Sequence, residues 1–379
     1  MNARATPLTP TVFLFCRMGD MVMLTSLLNL LHQRYGQPCR VVGTGSWTPA
    51  IYAGNPDVEG VWSFHRHLPF LLERSWLQVR RALRESAPGP VYVCERHFRQ
   101  LPRIRRMLRL SGVDPRRVLY LTDPARPGQV HLHDLMVRLG TRTPPALEER
   151  DYAVPPLTAV VGPRLHVLAS ERAARDRWLQ ASGIAGRELI LIQPGNHRSM
   201  GPKRARWRRL NTDDKWWPPE RWAQLCQRLR AERPDAVLLL RGSREEVPLL
   251  EEIRAAARVE NLMVVGNGLR ELFALEEAAS SMISVDTGPA HAAAALSVPL
   301  VVLYGAEMPS QWLPRSPFGT PVVGLGGPPL STRADQISVD EVLAAWRSLG
   351  GRRPPANAGA GGAPDSRTAR ERHAAPDQR

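Results

Sequence analysis

Met282–Gly305 reads MISVDTGPAHAAAALSVPLVVLYG. It holds an apolar strand (Met282–Val285), a polar turn, a small-residue helix (Pro289–Leu296) and a second apolar strand (Leu300–Tyr304). A strand, a helix and a further strand in that order imply a parallel sheet with helices on its faces. The turn puts Asp286, Thr287, Gly288 and His291 around a helix start. Free N–H groups and the helix dipole make such a start an anion site. Gly288 leaves room for a diphosphate to approach closely, and the alanines behind it let the helix sit tightly on its sheet.

The same rhythm extends outward from this stretch. In the C-terminal half the spacing predicts helices at Ser170–Ser182, Pro218–Glu232, Arg244–Ala257 and Leu269–Ala279, alternating with strands at Glu188–Gln193, Ala236–Leu240 and Asn261–Val265. The N-terminal half repeats it with strands at Val12–Cys16, Arg40–Gly43, Gly60–Phe64, Pro90–Cys94 and Val118–Leu121. Helices are expected between them at Met21–Tyr35, Pro49–Gly54, Leu68–Glu85 and Phe98–Leu110, and Val130–Leu139 closes this half. Residues 141–164 are rich in proline and poor in helical signals, the expected interdomain link. The organisation read from this pattern is α/β, with two Rossmann-like domains over residues 1–155 and 156–349 facing across a cleft. The segment 350–379 is rich in Gly, Ala, Pro and Arg and has almost no large apolar residue, so a disordered tail is expected.

The formal charge is +15, nearly all from arginine; the lysines are Lys203 and Lys215. This favours anionic partners: nucleotide phosphates, anionic lipid or nucleic acid. The basic loop 196–214, with Lys203, Arg204, Arg206, Arg208, Arg209 and Trp207, has the look of a nucleic-acid patch. No recognition module accompanies it, so specific nucleic-acid binding is not expected. No apolar run approaches the ~18 residues needed to span a bilayer, and Met1–Pro10 carries no signal-like cleavage site. A cytoplasmic protein is expected; the basic helix Leu68–Arg84 could lie on an anionic inner membrane face or equally be an ordinary surface helix. Cys16, Cys39, Cys94 and Cys226 are too widely spaced for a metal or redox motif and read as buried small hydrophobes.

Four further places hold candidate chemistry. Arg17, Gly19 and Asp20 follow the first strand, where ligands bind in open α/β sheets; Asp20 could equally be a helix N-cap. Lys215 precedes a helix start and could form charge-assisted hydrogen bonds to a diphosphate. Glu245 and Glu246 follow the strand Ala236–Leu240, where a carboxylate can accept from ribose hydroxyls. Pro194 and Gly195 form a strand-end turn in LIQPGN (Leu191–Asn196).

Taken in this order, VDTGPAHAAAALSVPLVVLYG (Val285–Gly305), DDKWWPPERWAQL (Asp213–Leu225), MGD (Met18–Asp20) and LIQPGN resemble glycosyltransferase family 9, the ADP-heptose:lipopolysaccharide heptosyltransferases. The resemblance runs from about Val12 to Ser348. It implies a GT-B fold, an acceptor on the N-terminal domain, a nucleotide-sugar donor on the C-terminal one, and inverting transfer without a metal ion. No cofactor is implied beyond the donor, expected to be ADP-linked. It implies Asp20 as general base, Lys215 as phosphate ligand, Asp286, Thr287, Gly288 and His291 as the donor-diphosphate turn, and Glu246 or Glu245 at the ribose. Pro194 and Gly195 join the donor side; Arg17 and Gly19 join the acceptor side. The first loop is shorter than is usual in the family. The partners implied are a sugar nucleotide and a saccharide or lipid-linked acceptor. The competing readings are a GT-B enzyme using a UDP-sugar and a basic nucleic-acid- or membrane-binding module without catalysis.

Overall fold

The computed structural model of the protein describes residues 6–65, 68–121, 130–199, 212–266 and 268–350. Among these residues the strands form two separate sheets, each wholly parallel. The first is built from β1 (Thr11–Leu14), β2 (Cys39–Thr44), β3 (Val58–Phe64), β4 (Val91–Val93) and β5 (Val118–Tyr120), in the order β3-β2-β1-β4-β5. The second contains β6 (Leu189–Gln193), β7 (Val237–Gly242), β8 (Leu262–Gly266), β9 (Ser281–Val285), β10 (Leu300–Tyr304) and β11 (Val322–Gly326), in the order β11-β10-β9-β6-β7-β8. Both are doubly wound: the first strand of each lies inside and the order reverses beside it. The reversals fall between β1 and β4 and between β6 and β9, and at such points loops diverge and leave a crevice at the carboxyl ends of the strands.

The strands are apolar because both faces are covered. Leu189–Gln193 and Leu300–Tyr304 are buried at every position. One apolar cluster lies under helices Arg74–Glu85 and Leu101–Leu110 on the outer face of the first sheet (Phe13, Phe15, Trp76, Ile104). Another lies under Pro219–Glu232, Val247–Ala257 and Val339–Ser348 on the far face of the second (Ile190, Trp222, Ile253, Trp346). The third runs through both domains, from Val12 and Leu27 to Leu191 and Ala292–Ala295. Helices Met18–Met23 and Gly288–Ala295 meet in this shared core.

Several boundaries differ from the sequence expectation, for local reasons. The helix expected over Leu68–Glu85 starts at Arg74; Pro69 and a 3-10 turn at Phe70–Leu72 precede it. The helix expected from Phe98 starts at Leu101, with Pro102 in its first turn. The helix expected over Met21–Tyr35 starts earlier, at Met18, and is interrupted at Leu24. β11 and the helix Val339–Ser348 were not anticipated; β11 reads VVGLG, and its glycines weaken the strand signal. Between Thr141 and Ala169 the chain forms only 3-10 turns, at Glu149–Asp151 and Leu157–Ala159. The tail from Gly351 onward and residues 200–211, which carry Lys203, Arg204, Arg206, Trp207, Arg208 and Arg209, lie outside the described residues. No described helix is long and apolar enough to cross a membrane.

Candidate active site

Asp20 is the third residue of its helix rather than the N-cap. Its Oδ2 accepts the Arg17 N–H at 3.2 Å, closing the turn from inside. The carboxyl is largely shielded from solvent, and that desolvation pushes its pKa up to about 6. The Arg17 amide and the Cys16 thiol oppose the shift, and Glu95 adds to it.

Glu95 was not singled out in the sequence. It lies just past β4, across the switch point from Asp20, and is 1% exposed. Its carboxylate accepts the Phe15 N–H at 3.0 Å and the His97 N–H at 2.6 Å. The Cys16 thiol lies 3.8 and 3.9 Å from its two oxygens. Cys39, Cys94 and Cys226 are buried as expected. Cys16 departs from that reading: it is only partly buried, and burial together with the Asp20 and Glu95 carboxylates pushes its thiol pKa far up. It therefore stays protonated and can donate to either carboxylate. The signal that finds Glu95 is topological, an acidic residue at the carboxyl end of the strand that neighbours β1.

Lys215 is held by a chain of local contacts. Its N–H bonds Asp213 Oδ1 at 3.2 Å, and Asp213 accepts from Asn196 Nδ2 at 3.1 and 3.2 Å. Asp214 Oδ2 accepts the Ala306 N–H at 2.8 Å. Trp217, fully buried, donates to the Ile337 carbonyl at 2.9 Å and packs edge-on against Trp222. DDKWW is thus an anchor that aims one ammonium: Lys215 Nζ lies 2.5 Å from Asp286 Oδ2 and 3.1 Å from the Asp286 carbonyl. The ion pair is largely buried, at 17% and 8% side-chain exposure.

Asp286 closes β9, and Thr287 leads into the helix Gly288–Ala295. Thr287 Oγ1 donates to the Val285 carbonyl at 3.2 Å. His291 is 6% exposed, and burial lowers its pKa to about 4, so the ring is neutral at physiological pH. Its Nδ1 has no hydrogen-bond partner among the described residues.

Two glycines bring the halves together. A Cβ on Gly19 would fall 2.6 Å from Cδ2 of His291, and a Cβ on Gly288 would fall 2.6 Å from Sδ of Met18. The first turns of the two central helices therefore touch because neither glycine has a side chain. The helix start that carries Asp20 and the Asp286–His291 turn are thus in direct contact, and Lys215 is paired to the second through Asp286. Further links cross between the halves: Arg315 pairs with Asp134 at 2.5 Å, His131 Nε2 lies 2.9 Å from the Leu313 carbonyl, and Arg270 donates to the Ala50 carbonyl at 2.9 Å.

At the carboxyl ends of β6 and β7 the structure separates two carboxylates that the sequence left open. Glu245 is exposed. Glu246 is 4% exposed, accepts the Ser243 N–H at 2.8 Å, and lies 3.4 Å from Ser199 Oγ. Burial raises its pKa. It faces Gly195, where a Cβ would fall 2.1 Å from Glu246 Oε1. Pro194 and Gly195 are buried beside it. Beneath them Arg241 donates to Gln193 Oε1 at 3.0 Å. Arg17 is exposed, and its charge reaches His197 on the opposite domain.

Residues 163–337 match the model of glycosyltransferase family 9 (heptosyltransferase). The fold is similar to that of a family 9 glycosyltransferase from Veillonella parvula, with a TM-score of 0.70, 14% identity, and 90% of this chain and 97% of that one covered. It is similar to ADP-heptose lipopolysaccharide heptosyltransferase II of E. coli, at a TM-score of 0.66 and 20% identity, covering 90% and 98%. It is also similar to E. coli heptosyltransferase WaaC with ADP, at 0.63 and 16%, covering 90% and 100%. No curated protein matches the chain. Residues 163–337 thus carry a domain matching glycosyltransferase family 9, on a chain whose two doubly wound parallel sheets have the GT-B arrangement of the solved heptosyltransferases.

Proposed function

We propose that the protein transfers a heptose from an ADP-linked donor to a saccharide or lipopolysaccharide-core acceptor, with inversion and without a metal ion. The observation that carries this reading is the contact between the two helix starts. The helix start that carries the desolvated carboxyl of Asp20 packs, through Gly19 and Met18, against a second helix start, beside which Asp286 holds the ammonium of Lys215. In this reading Asp20 removes the proton from the acceptor hydroxyl as that oxygen attacks the anomeric carbon. The bond from that carbon to the diphosphate breaks on the opposite face, so one displacement inverts the centre. The negative charge that grows on the diphosphate meets Lys215, the amides of Thr287 and Gly288, and the dipole of Gly288–Ala295. Neutral His291 can offer its Nδ1 side as donor or acceptor without adding charge. Glu246 accepts from the ribose hydroxyls.

The solved E. coli WaaC structures, with ADP and with ADP-2-deoxy-2-fluoro heptose, support an ADP-linked donor for this chain. The test is transfer from ADP-heptose, UDP-glucose and GDP-mannose to lipopolysaccharide-core acceptors, followed by mass spectrometry. The expected result is product from ADP-heptose, unchanged by added EDTA. Product from the UDP-sugar alone would overturn the donor assignment, and loss of activity in EDTA would overturn metal-independent transfer.

Gly195→Ala tests the donor side. The new Cβ displaces the Glu246 carboxylate. The expected effect is a rise of about tenfold in KM for the sugar nucleotide, the worth of one charge-assisted hydrogen bond. The fall in kcat is expected to be smaller. An unchanged KM would remove Glu246 from the donor site.

A further inference from the structure

The face of the second sheet that packs into the shared core is apolar for most of its length. β6 contributes Leu189 and Leu191 to it, β7 Val237 and Leu239, and β9 Met282. Side chains alternate along a strand, so the next residues on this face are Gln193, Arg241 and Ser284. Gln193 pairs in register with Ser284, and Arg241 follows the Ile192–Leu240 pair, level with Gln193. Three polar side chains thus form one row across three adjacent strands. All three are buried, at 2%, 4% and 0% exposure.

The row reaches a donor turn at each end. Arg241 Nη1 donates to Gln193 Oε1 at 3.0 Å, and Gln193 Nε2 donates to the Gly195 carbonyl at 3.3 Å. Gly195 makes room for the Glu246 carboxylate on one side. Gly242, next to Arg241, makes room on the other: a Cβ there would fall 2.9 Å from Cβ of Glu246. At the far end Ser284 Oγ donates to the Val285 carbonyl at 2.7 Å and lies 3.4 Å from Thr287 Oγ1. A buried guanidinium calls for a counter-ion. The nearby acid Glu276, in the helix Leu269–Ala278, is 0% exposed, and neither of its oxygens has a hydrogen-bond partner among the described residues. Burial pushes its pKa well up, which leaves it a neutral acid. Burial pushes Arg241 down only to about 10, so its charge persists at neutral pH. The guanidinium turns to Gln193, and its charge favours the ionised form of Glu246.

We infer that Arg241 and Gln193 are positioning residues for the donor: they fix the Gly195 carbonyl and hold Glu246 where it meets the ribose of a nucleoside diphosphate. Both are too deeply buried to touch the ligand and act through the turn above them. This role rests on the donor side of the proposed function and adds two residues to it. No local motif points to them, because they occupy strand positions that alternation assigns to the core. A merely structural Arg241 would answer to Glu276; a positioning one answers to Glu246.

The test uses the full chain and calorimetric titration with ADP, UDP and GDP, which needs no acceptor. Arg241→Met should weaken the tightest-binding nucleotide about tenfold, as should Gln193→Leu, the loss expected from one charge-assisted hydrogen bond at the ribose. With the sugar nucleotide, KM should rise by a similar factor while kcat changes less than about threefold. In a Glu246→Ala background Arg241→Met should lower affinity less than about twofold further, because the group it positions is gone. Full additivity overturns the inference. Glu276 separates positioning from folding. Glu276→Gln should leave nucleotide affinity unchanged. Arg241→Met with Glu276→Leu replaces two buried polar side chains by apolar ones. It should recover the melting temperature that Arg241→Met loses, without recovering affinity. Affinity that returns with the melting temperature, or that falls equally in Glu276→Gln, makes Arg241 a partner of Glu276 alone and overturns the inference. Parent-like affinity in both Arg241→Met and Gln193→Leu overturns it too. A parent protein that binds none of the three nucleotides would fault the donor site of the proposed function, and this role with it.

Discussion

Asp20→Asn should bind the sugar nucleotide as the parent protein does and transfer the sugar about a thousandfold more slowly, the usual loss when a general base is removed. The amide keeps the hydrogen bond from the Arg17 N–H but cannot take a proton. In the parent protein, log kcat/KM should fall as pH drops below about 6, because protonation of Asp20 removes the base. Glu95→Gln should move that acid limb to lower pH, since Glu95 contributes to the upward shift and a glutamine keeps its place with one acceptor oxygen. The same site predicts a stability effect of definite sign. The pKa of Asp20 is higher folded than unfolded, so ionisation costs folded stability. That loss begins as pH rises above the ordinary aspartate value of about 3.8 and is complete above about 6. Asp20→Asn should therefore melt at a higher temperature than the parent at pH 7.5 and at a similar one at pH 3.5. A slow but unstabilised variant would mean that the carboxylate is not strained in the fold; a fully active one would remove Asp20 as base.

The second large effect is expected at Lys215. Lys215→Met removes the ammonium facing the diphosphate turn and leaves Asp286, at 8% side-chain exposure, without its ion-pair partner. Removing one member of a buried pair costs about 3 kcal/mol of stability, and losing one electrostatic contact to the leaving group costs roughly a hundredfold or more in kcat. The two losses can be separated. Lys215→Met with Asp286→Asn relieves the lone buried charge and should recover most of the melting temperature without recovering activity. Recovery of both would make Lys215 a structural partner of Asp286 only. Lys215→Arg is expected to fold but to transfer poorly, because a planar fork replaces a point charge held 2.5 Å from one carboxylate oxygen.

Much of the donor side was legible in the residues. An apolar run, a turn of Asp286-Thr287-Gly288 and an alanine helix specify a strand, an anion-binding turn and a tightly packed helix by local physics alone. Lys215 stood out as one of two lysines among many arginines. The ribose carboxylate was narrowed to two neighbours, and only burial and the closeness of Gly195 set Glu246 apart from exposed Glu245. Glu95 was missed because its role comes from the strand order: 75 residues separate it in sequence from Asp20, and β4 lies beside β1 only in the sheet. Cys16 was taken as a small hydrophobe because its neighbours in sequence say nothing of the two carboxylates that fold around it.

By itself the sequence determined the alternation of strands and helices, the two parallel-sheet halves and the chemistry of each turn, because these follow from side-chain periodicity and from the unpaired amides at a helix start. Only the tertiary structure decided that the Asp20 turn and the Asp286–His291 turn meet. That meeting depends on two side chains being absent, at Gly19 and Gly288, each pressed against a residue of the other half. It also decided the raised pKa of Asp20, since desolvation depends on atoms that the chain brings together from distant positions.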